Sequence, residues 1–265
     1  MTGARIRPRF DLAGRVAIVT GSSKGIGEAM ARGLAEFGAH VVVSSRDAEA
    51  VAQVAAGYRA DGLQATGIAC HVGDPDDRRR LVERTVATYG GLDILINNAA
   101  VNPYFGPVEG LTAEAYRKTL DINLTAALEL SNLALPHLRA SGRGAVIHIS
   151  SVEGLHASPH FAAYNVSKAG LIMLGKSQAR EWAADKVRVN VICPGLVRTK
   201  LSRPLWENGD LARHMRAQIP LGRMADPDEI AGLAVWLAGD AASFVTGGTF
   251  VADGGMGGAA GFALG

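Results

Sequence analysis

Tyr164-Asn165-Val166-Ser167-Lys168 carries a phenol and an ammonium four residues apart, with the hydroxyl of Ser151 thirteen residues upstream. On a helix, residues i and i+4 share a face, so the spacing predicts the Lys168 ammonium beside the Tyr164 phenol. A neighbouring positive charge favours the phenolate and draws its pKa down from about 10. A phenol tuned in this way can give a proton to a substrate oxygen or take one from it. Ser151 supplies a second hydroxyl to hold that oxygen. Alone the pattern carries little weight, because Tyr and Lys recur at this spacing in many helices.

A glycine-rich run adds weight. Thr20-Gly21-Ser22-Ser23-Lys24-Gly25-Ile26-Gly27 follows an apolar stretch and precedes an Ala/Leu/Glu-rich one. Glycine allows a sharp turn and a close approach to a ligand, and the N–H groups that open a helix attract an anion. Gly21, Ser23, Lys24, Gly25, Ile26 and Gly27 therefore read as a pyrophosphate cradle, spaced Gly-x-x-x-Gly-x-Gly rather than Gly-x-Gly-x-x-Gly. A tight turn without a ligand is the plainer alternative. At the end of the next strand, Ser45 stands where an acidic residue would repel a ribose 2′-phosphate. Arg46 can pair with that phosphate, and Lys24 adds a second charge. NADP(H) is the expected cofactor, in preference to NAD(H).

The elements that must hold these groups alternate along the chain. Apolar runs predict strands at Val16–Thr20, Val41–Ser44, Ala65–Cys70, Ile94–Asn97, Ala145–Ser150, Val187–Cys193 and Thr249–Val251. Helical patterns lie between them, at Gly25–Phe37, Ala48–Ala60, Pro75–Tyr89, Thr112–Ala140, Tyr164–Ala184 and Pro227–Leu237. Strands apolar throughout, rather than alternating, belong in a parallel sheet covered on both faces. The prediction is one α/β domain over residues 1–265, a Rossmann-type doubly wound sheet. It has an N-terminal arm at 1–11, a polar segment at 198–219 long enough to be a substrate lid, and a glycine-rich tail at 254–265.

Charge excludes some functions. Lys and Arg number 27 against 25 Asp and Glu, a near balance that gives no general attraction to nucleic acid or anionic membrane. Arg78-Arg79-Arg80 is surrounded by Asp74, Asp76, Asp77 and Glu83 and reads as a solvated helix face. Two cysteines, Cys70 and Cys193, make no disulfide framework. No apolar stretch reaches membrane-spanning length, and Arg5, Arg7 and Arg9 lack the apolar core of a secretory signal. A cytoplasmic protein is expected. His156 and His160 are spaced like metal ligands, but Pro159 lies between them and no acidic pair is near, so no metal is expected.

Taken together, the glycine turn, Asn97-Asn98-Ala99-Ala100, Asn123 in Asp121-Ile122-Asn123, Ser151, Tyr164/Lys168 and Cys193-Pro194-Gly195 resemble the short-chain dehydrogenase/reductase family. The likeness covers nearly the whole chain. Cys70-His71-Val72-Gly73, the run from Ala99 to Gly106 and Pro194-Gly195-Leu196 are similar to the NADPH-dependent carbonyl and retinal reductase branch called dehydrogenase/reductase family member 4. Animal members of that branch end in a peroxisomal Ser-Lys-Leu-type tripeptide; Phe262-Ala263-Leu264-Gly265 does not match it. The resemblance implies seven parallel strands in the order 3-2-1-4-5-6-7. It also implies a homotetramer, packed through the helices on either side of strand five, with Ala126, Ala127, Ala169 and Gly170 permitting close contact. A dimer is the alternative.

The resemblance further implies that Tyr164 is the general acid and base, that Lys168 tunes it and binds the nicotinamide ribose, and that Ser151 orients the carbonyl. Asn123 holds a water leading from Lys168 to solvent. Asn98, Ala99, Val72, Pro194 and Gly195 join the cofactor set, and Thr199 with the Val197 backbone holds the carboxamide. Two departures stand out. His71 replaces an adenine-contacting Asp, either to meet the adenine or to cap the strand, and Ala100 replaces a glycine.

A substrate pocket should form over the strand ends, walled by Tyr104, Phe105, Glu153, Leu155, His156, Phe161, Leu201 and Trp206. These walls suit a hydrophobic ketone, aldehyde or secondary alcohol. Glu153 is either a selectivity residue or an exposed loop acid. Two other readings compete. A 3-oxoacyl-thioester reductase would use Arg198, Lys200, Arg203, Arg213 and Arg216 to meet an acidic carrier. A non-catalytic NADP(H)-binding scaffold would keep the cradle and lack the chemistry.

Overall fold

A computed structural model describes residues 5–200, 202–207 and 209–258. Seven parallel strands form one sheet in the order β3-β2-β1-β4-β5-β6-β7, as expected. They are β1 (Val16–Thr20), β2 (His40–Ser45), β3 (Ala65–Ala69), β4 (Ile94–Asn97), β5 (Ala145–Ile149), β6 (Arg188–Pro194) and β7 (Thr249–Ala252). Helices α1 (Gly25–Glu36), α2 (Ala48–Ala60) and α9 (Pro227–Ala238) cover one face, and α3 (Pro75–Tyr89), α5 (Ala126–Ser141) and α6 (Ala162–Trp182) the other.

Side chains of one strand point alternately to the two faces. Ala17, Val19, Val41, Val43, Ile94, Ile96 and Ile147 therefore enter the core beneath α1, α2 and α9. Val16, Ile18, Val42, Leu95 and Val146 enter the core beneath α3, α5 and α6. Apolar demand on both faces explains why the strands carry no polar alternation. Pairing aligns Thr20 with Ser44 and Ile149 with Ile192, so the carboxyl ends of the strands share one edge. The strand order reverses between β1 and β4, which opens the crevice there.

Several expectations are corrected. The single helix predicted at Thr112–Ala140 is α4 (Ala113–Leu120) and α5, joined by a π-helical turn at Asp121–Thr125. The polar segment after β6 carries two short helices, α7 (Arg203–Glu207) and α8 (Gly209–Ala217). Cys70 lies just beyond β3 rather than ending it, and both cysteines are buried and free. Arg79 and Arg80 pair with Asp76 and Asp77 on the surface, whereas Arg78 is buried and reaches Glu129 and the Val72 carbonyl. Thus only two members of that run form a solvated face. Among the described residues no helix is long and apolar enough to cross a membrane. Most of the tail, 259–265, lies outside the described residues.

Candidate active site

The glycine turn closes because three positions lack a Cβ. Gly21 and Gly25 have φ of +65° and +63°, where other residues are strained. At Gly27 a Cβ would lie 2.4 Å from the Gly21 carbonyl oxygen and 2.5 Å from Asn98 Nδ2. The turn is tied to the end of β4. Asn98 donates from its side chain to the Thr20 and Gly21 carbonyls (2.8 and 3.1 Å), while the N–H groups of Asn98 and Ala99 donate to Thr20 Oγ1 (3.0 and 3.1 Å). Asn98 and Ala99 therefore shape the cradle from behind.

Acidic side chains cap neighbouring helices: Asp47 accepts from Ala50, and Asp74 from Asp76 and Asp77. At α1 the N-cap position is Lys24, and no side chain accepts from the first turn. Those amides are thus available to an anion. Arg46 and Lys24 are exposed and have no hydrogen-bond or ion-pair partner among the described residues. Ser45 Oγ, at the end of β2, is buried without a partner. An unpaired hydroxyl, two unpaired cations and an uncapped helix start fit a phosphorylated dinucleotide. Ser23 and Ile26 lie in the same turn and are half-buried. Val72 lies opposite, around a small cleft shared with Thr20, Ala99 and Asn123. His71 is exposed, and its N–H donates to Asp77 (2.8 Å). The strand end is therefore capped by Asp77 and not by the imidazole.

Across the crevice, Ser151 follows β5, and Tyr164 lies in the first turn of α6. Gly154 brings them together: a Cβ there would sit 2.7 Å from the Lys168 carbonyl carbon, so only glycine lets the loop lie against the helix. Ser150 donates to the Lys168 carbonyl (2.8 Å). That fixes Ser150 as a brace and leaves Ser151 Oγ to accept from the Glu153 N–H (3.1 Å). Lys168 is buried, and its ammonium donates to the Ile149 carbonyl (2.8 Å), with Nζ 5.5 Å from the Tyr164 ring centroid.

The electrostatics differ from expectation. Burial pushes the Tyr164 phenol up to about 12, against the Ser151 hydroxyl, which lowers it, and with Glu153 adding to the rise. Burial also brings Lys168 down to about 8, with Cys193 opposing. The predicted lowering of the phenol by Lys168 is absent, because the ammonium is engaged by a backbone carbonyl rather than by the phenol oxygen.

Asn123 sits in the π-turn. Its Oδ1 accepts from Val101 N (2.8 Å), and its Nδ2 donates to Val101 O (2.9 Å) and Ser167 Oγ (3.0 Å). Its two amide donors are therefore committed to protein, and the side chain has none left for a water. Pro194 and Gly195 leave β6 beneath Asp253, whose Cβ would be 2.7 Å from a Cβ at Gly195. The methyl group of Thr199 would lie 3.4 Å from a Cβ at Gly25, which places the loop after β6 against the glycine turn. Val197 is buried, with its carbonyl accepting from Ser202 Oγ (2.5 Å), and Trp206 donates to the Thr199 carbonyl (3.2 Å).

The substrate wall is aromatic. Phe105 meets Phe161 edge-on at 4.9 Å between centroids, and Phe161 lies 6.2 Å from Tyr164. Gly106 N–H donates to the His160 carbonyl (3.2 Å), which ties this loop to the one after β5. The Tyr104 hydroxyl donates to the Pro107 carbonyl (2.7 Å), which holds the ring to its own loop. Leu155 and His156 are exposed on the rim, and Leu201 lies outside the described residues. No metal-competent cluster occurs among the described residues. Sequence reasoning missed Ser158, Ser202, Gly154 and Thr20. Ser150 it treated only as a rival to Ser151. Their signal is a small or hydroxylic residue beside a motif, which is common in any loop.

Comparison with known proteins identifies the family. A family model described as enoyl-(acyl carrier protein) reductase matches residues 21–257. Human dehydrogenase/reductase SDR family member 4 is 43% identical over 255 residues, spanning 96% of this chain and 92% of that protein. A Burkholderia cenocepacia gluconate 5-dehydrogenase, solved with NADP and tartrate, superposes with a TM-score of 0.91 at 33% identity, covering 95% and 98% of the two chains. A putative NAD(P)-dependent gluconate 5-dehydrogenase from Beutenbergia cavernae, with bound NADP, gives 0.89 at 36% identity over 94% and 98%. The chain thus belongs to the short-chain dehydrogenase/reductase family of oxidoreductases.

Proposed function

We propose that this chain is an NADP(H)-dependent carbonyl reductase and alcohol dehydrogenase. It acts on a hydrophobic ketone or aldehyde, or in reverse on a secondary alcohol. The observation that carries the reading is the meeting of Ser151, Tyr164 and buried Lys168 across the crevice from an uncapped glycine turn. The bound nicotinamide supplies or accepts the hydride. Ser151 orients the carbonyl and stabilises the charge that grows on its oxygen. With its pKa near 12, the Tyr164 phenol is protonated at neutral pH, the state required to donate to that oxygen in reduction. Lys168, near 8, changes charge close to working pH. Arg46 and Lys24 would hold the 2′-phosphate, which favours NADP(H).

The acyl-thioester alternative loses support from the lid. Arg198 makes a bidentate pair with Asp226 (2.6 and 2.7 Å), Arg203 pairs with Glu207, and Arg213 with Asp210. Most of the expected basic patch is thereby neutralised. The wall of Phe105 and Phe161 favours an aromatic or aliphatic substrate over a sugar acid. A non-catalytic scaffold would have no need to bury an ammonium beside a phenol.

We infer a homotetramer assembled through α5 and α6. Leu128, Val166 and Met173 on those helices are 38%, 47% and 62% exposed. Ala126 and Ala127 are instead buried within the chain, and Gly170 packs on Leu124. Free buried cysteines accord with a reducing cytoplasm.

The test is a panel of aromatic ketones, aliphatic aldehydes and acetoacetyl thioesters, followed by absorbance of NADPH and NADH. Turnover of the ketones with NADPH preferred is expected. Faster turnover of thioesters, or equal use of both nicotinamides, would overturn the reading.

A further inference from the structure

We propose that Glu153 is a charge filter at the substrate site, favouring neutral or cationic carbonyl compounds over those bearing a carboxylate near the reacting carbon. The inference rests on the function proposed above. It starts from a chain of hydrogen bonds in the loop between β5 and α6. The Glu153 N–H donates to Ser151 Oγ (3.1 Å), so the residue begins on the serine assigned to the carbonyl. Its carboxylate accepts from the N–H and the hydroxyl of Ser158 (3.1 and 2.8 Å). The Ser158 carbonyl accepts in turn from Asn165 Nδ2 (3.1 Å), the residue beside Tyr164. A free loop acid would swing into solvent. Here two donors from Ser158 fix the charge in the loop that joins Ser151 to Tyr164.

That charge is not neutralised. Ser158 satisfies the oxygens with dipoles, and no cation pairs with Glu153 among the described residues. The groups around it are few. On α6, Lys168 is turned to the Ile149 carbonyl. On its own loop, His156 and His160 are exposed. From the segment after β7, the Asp253 carboxylate binds the Gly255 and Gly257 N–H groups (2.9 and 2.6 Å). A Cβ at Gly257 would lie 3.0 Å from Asp253 Oδ2 and 3.6 Å from His156 Nε2, so a second negative charge stands at the rim. Phe105 and Phe161 pack together beside Tyr164 as an apolar wall, and poor screening there strengthens charge–charge repulsion. The field of Glu153 reaches the reacting group, since it raises the Tyr164 phenol. A substrate carboxylate beside Ser151 would meet this charge at short range, whereas a neutral ester or ketone would not. Repulsion of a wrong ligand is an established route to specificity.

The test compares methyl benzoylformate with benzoylformate, a neutral ester and its acid. Both are titrated calorimetrically into the protein saturated with NADP+, so that no hydride can move. The ester is expected to bind about tenfold or more tightly than the acid. In Glu153→Gln, whose amide oxygen can still accept from Ser158, the gap should shrink to about threefold, mainly through tighter binding of the acid. In the unaltered protein, raising the salt concentration should narrow the gap by screening, a measurement that requires no variant to fold. Equal affinities at low salt, a gap untouched by salt and by Glu153→Gln, or failure of both ligands to bind would each overturn the filter. Tight binding of the ester with no oxidation of NADPH would instead overturn the proposed reaction and leave the filter standing.

Discussion

The sheet supports its two ligand-facing halves with different materials. Under the glycine turn, β1, β2 and α1 are packed almost wholly with apolar side chains: Val19, Val41, Val43, Met30 and Leu34 are all fully buried. Under the catalytic loop, polar groups are buried in the core. His148 Nε2 lies 2.7 Å from Gln178 Oε1, its Nδ1 3.3 Å from Asn97 Nδ2, and Asn97 donates to Ser131 Oγ (2.9 Å). Lys168 is buried directly above. One half holds its ligand groups by backbone geometry, which pH hardly touches. The other holds them through protonation states, which can be shifted. Cofactor binding and catalysis should therefore fail under different conditions.

The largest expected separation is Tyr164→Phe. Loss of the phenol should lower turnover about 10²–10⁴-fold, while the dissociation constant for NADPH, read by fluorescence titration, stays within about threefold of the parent. A parallel loss of cofactor affinity would show that the two halves are not independent.

Acid should come next. Burial holds the neutral His148 down to about 4 from 6.5, with the Gln178 side chain opposing that shift. The unfolded chain binds this proton more readily, so stability is full above 6.5 and is lost as pH falls toward 4. The loss approaches about 3 kcal/mol. Urea unfolding at pH 7.0 and 4.5 should show it, and His148→Gln should flatten the difference. Lys168 acts in the opposite range. Its depressed pKa makes the unfolded chain bind more protons between about 8 and 10.5, so it adds stability as pH rises through that window.

On the cofactor side, Arg46→Ala should weaken NADPH binding by about ten- to hundredfold, the value of one charge-assisted bond, and leave NADH unchanged. Equal effects on both would assign Arg46 to folding rather than to the 2′-phosphate. The smallest effect expected is that of Phe105→Ala. The ring is 64% exposed, so the melting temperature should hold, while KM for aromatic ketones rises about three- to tenfold through lost stacking.

The strands, the glycine turn and the placement of Ser151, Tyr164 and Lys168 were legible along the chain, whereas the order of the strands in the sheet came only with the family resemblance. The former are encoded locally, by buried strands, by glycines at positive φ, or by i,i+4 spacing on one helix. Helix Thr112–Ala140 was misjudged because a π-turn keeps the helical composition on both sides while inserting one residue into the hydrogen-bond ladder. The bond from the Tyr104 hydroxyl to Pro107 is one that residue type alone could not give.

Composition and spacing by themselves determined which residues could do chemistry and which strands would carry them to one edge. Tertiary structure alone decided the charge on those residues. Whether Lys168 lowers the phenol of Tyr164 depends on where the ammonium points, and it points at the Ile149 carbonyl. Whether Glu153 is a loose loop acid or a fixed charge depends on Ser158 and Asn165. The physical reason is range: periodicity and backbone preference act between near neighbours, whereas desolvation and Coulomb forces sum over everything the fold brings within a few ångströms.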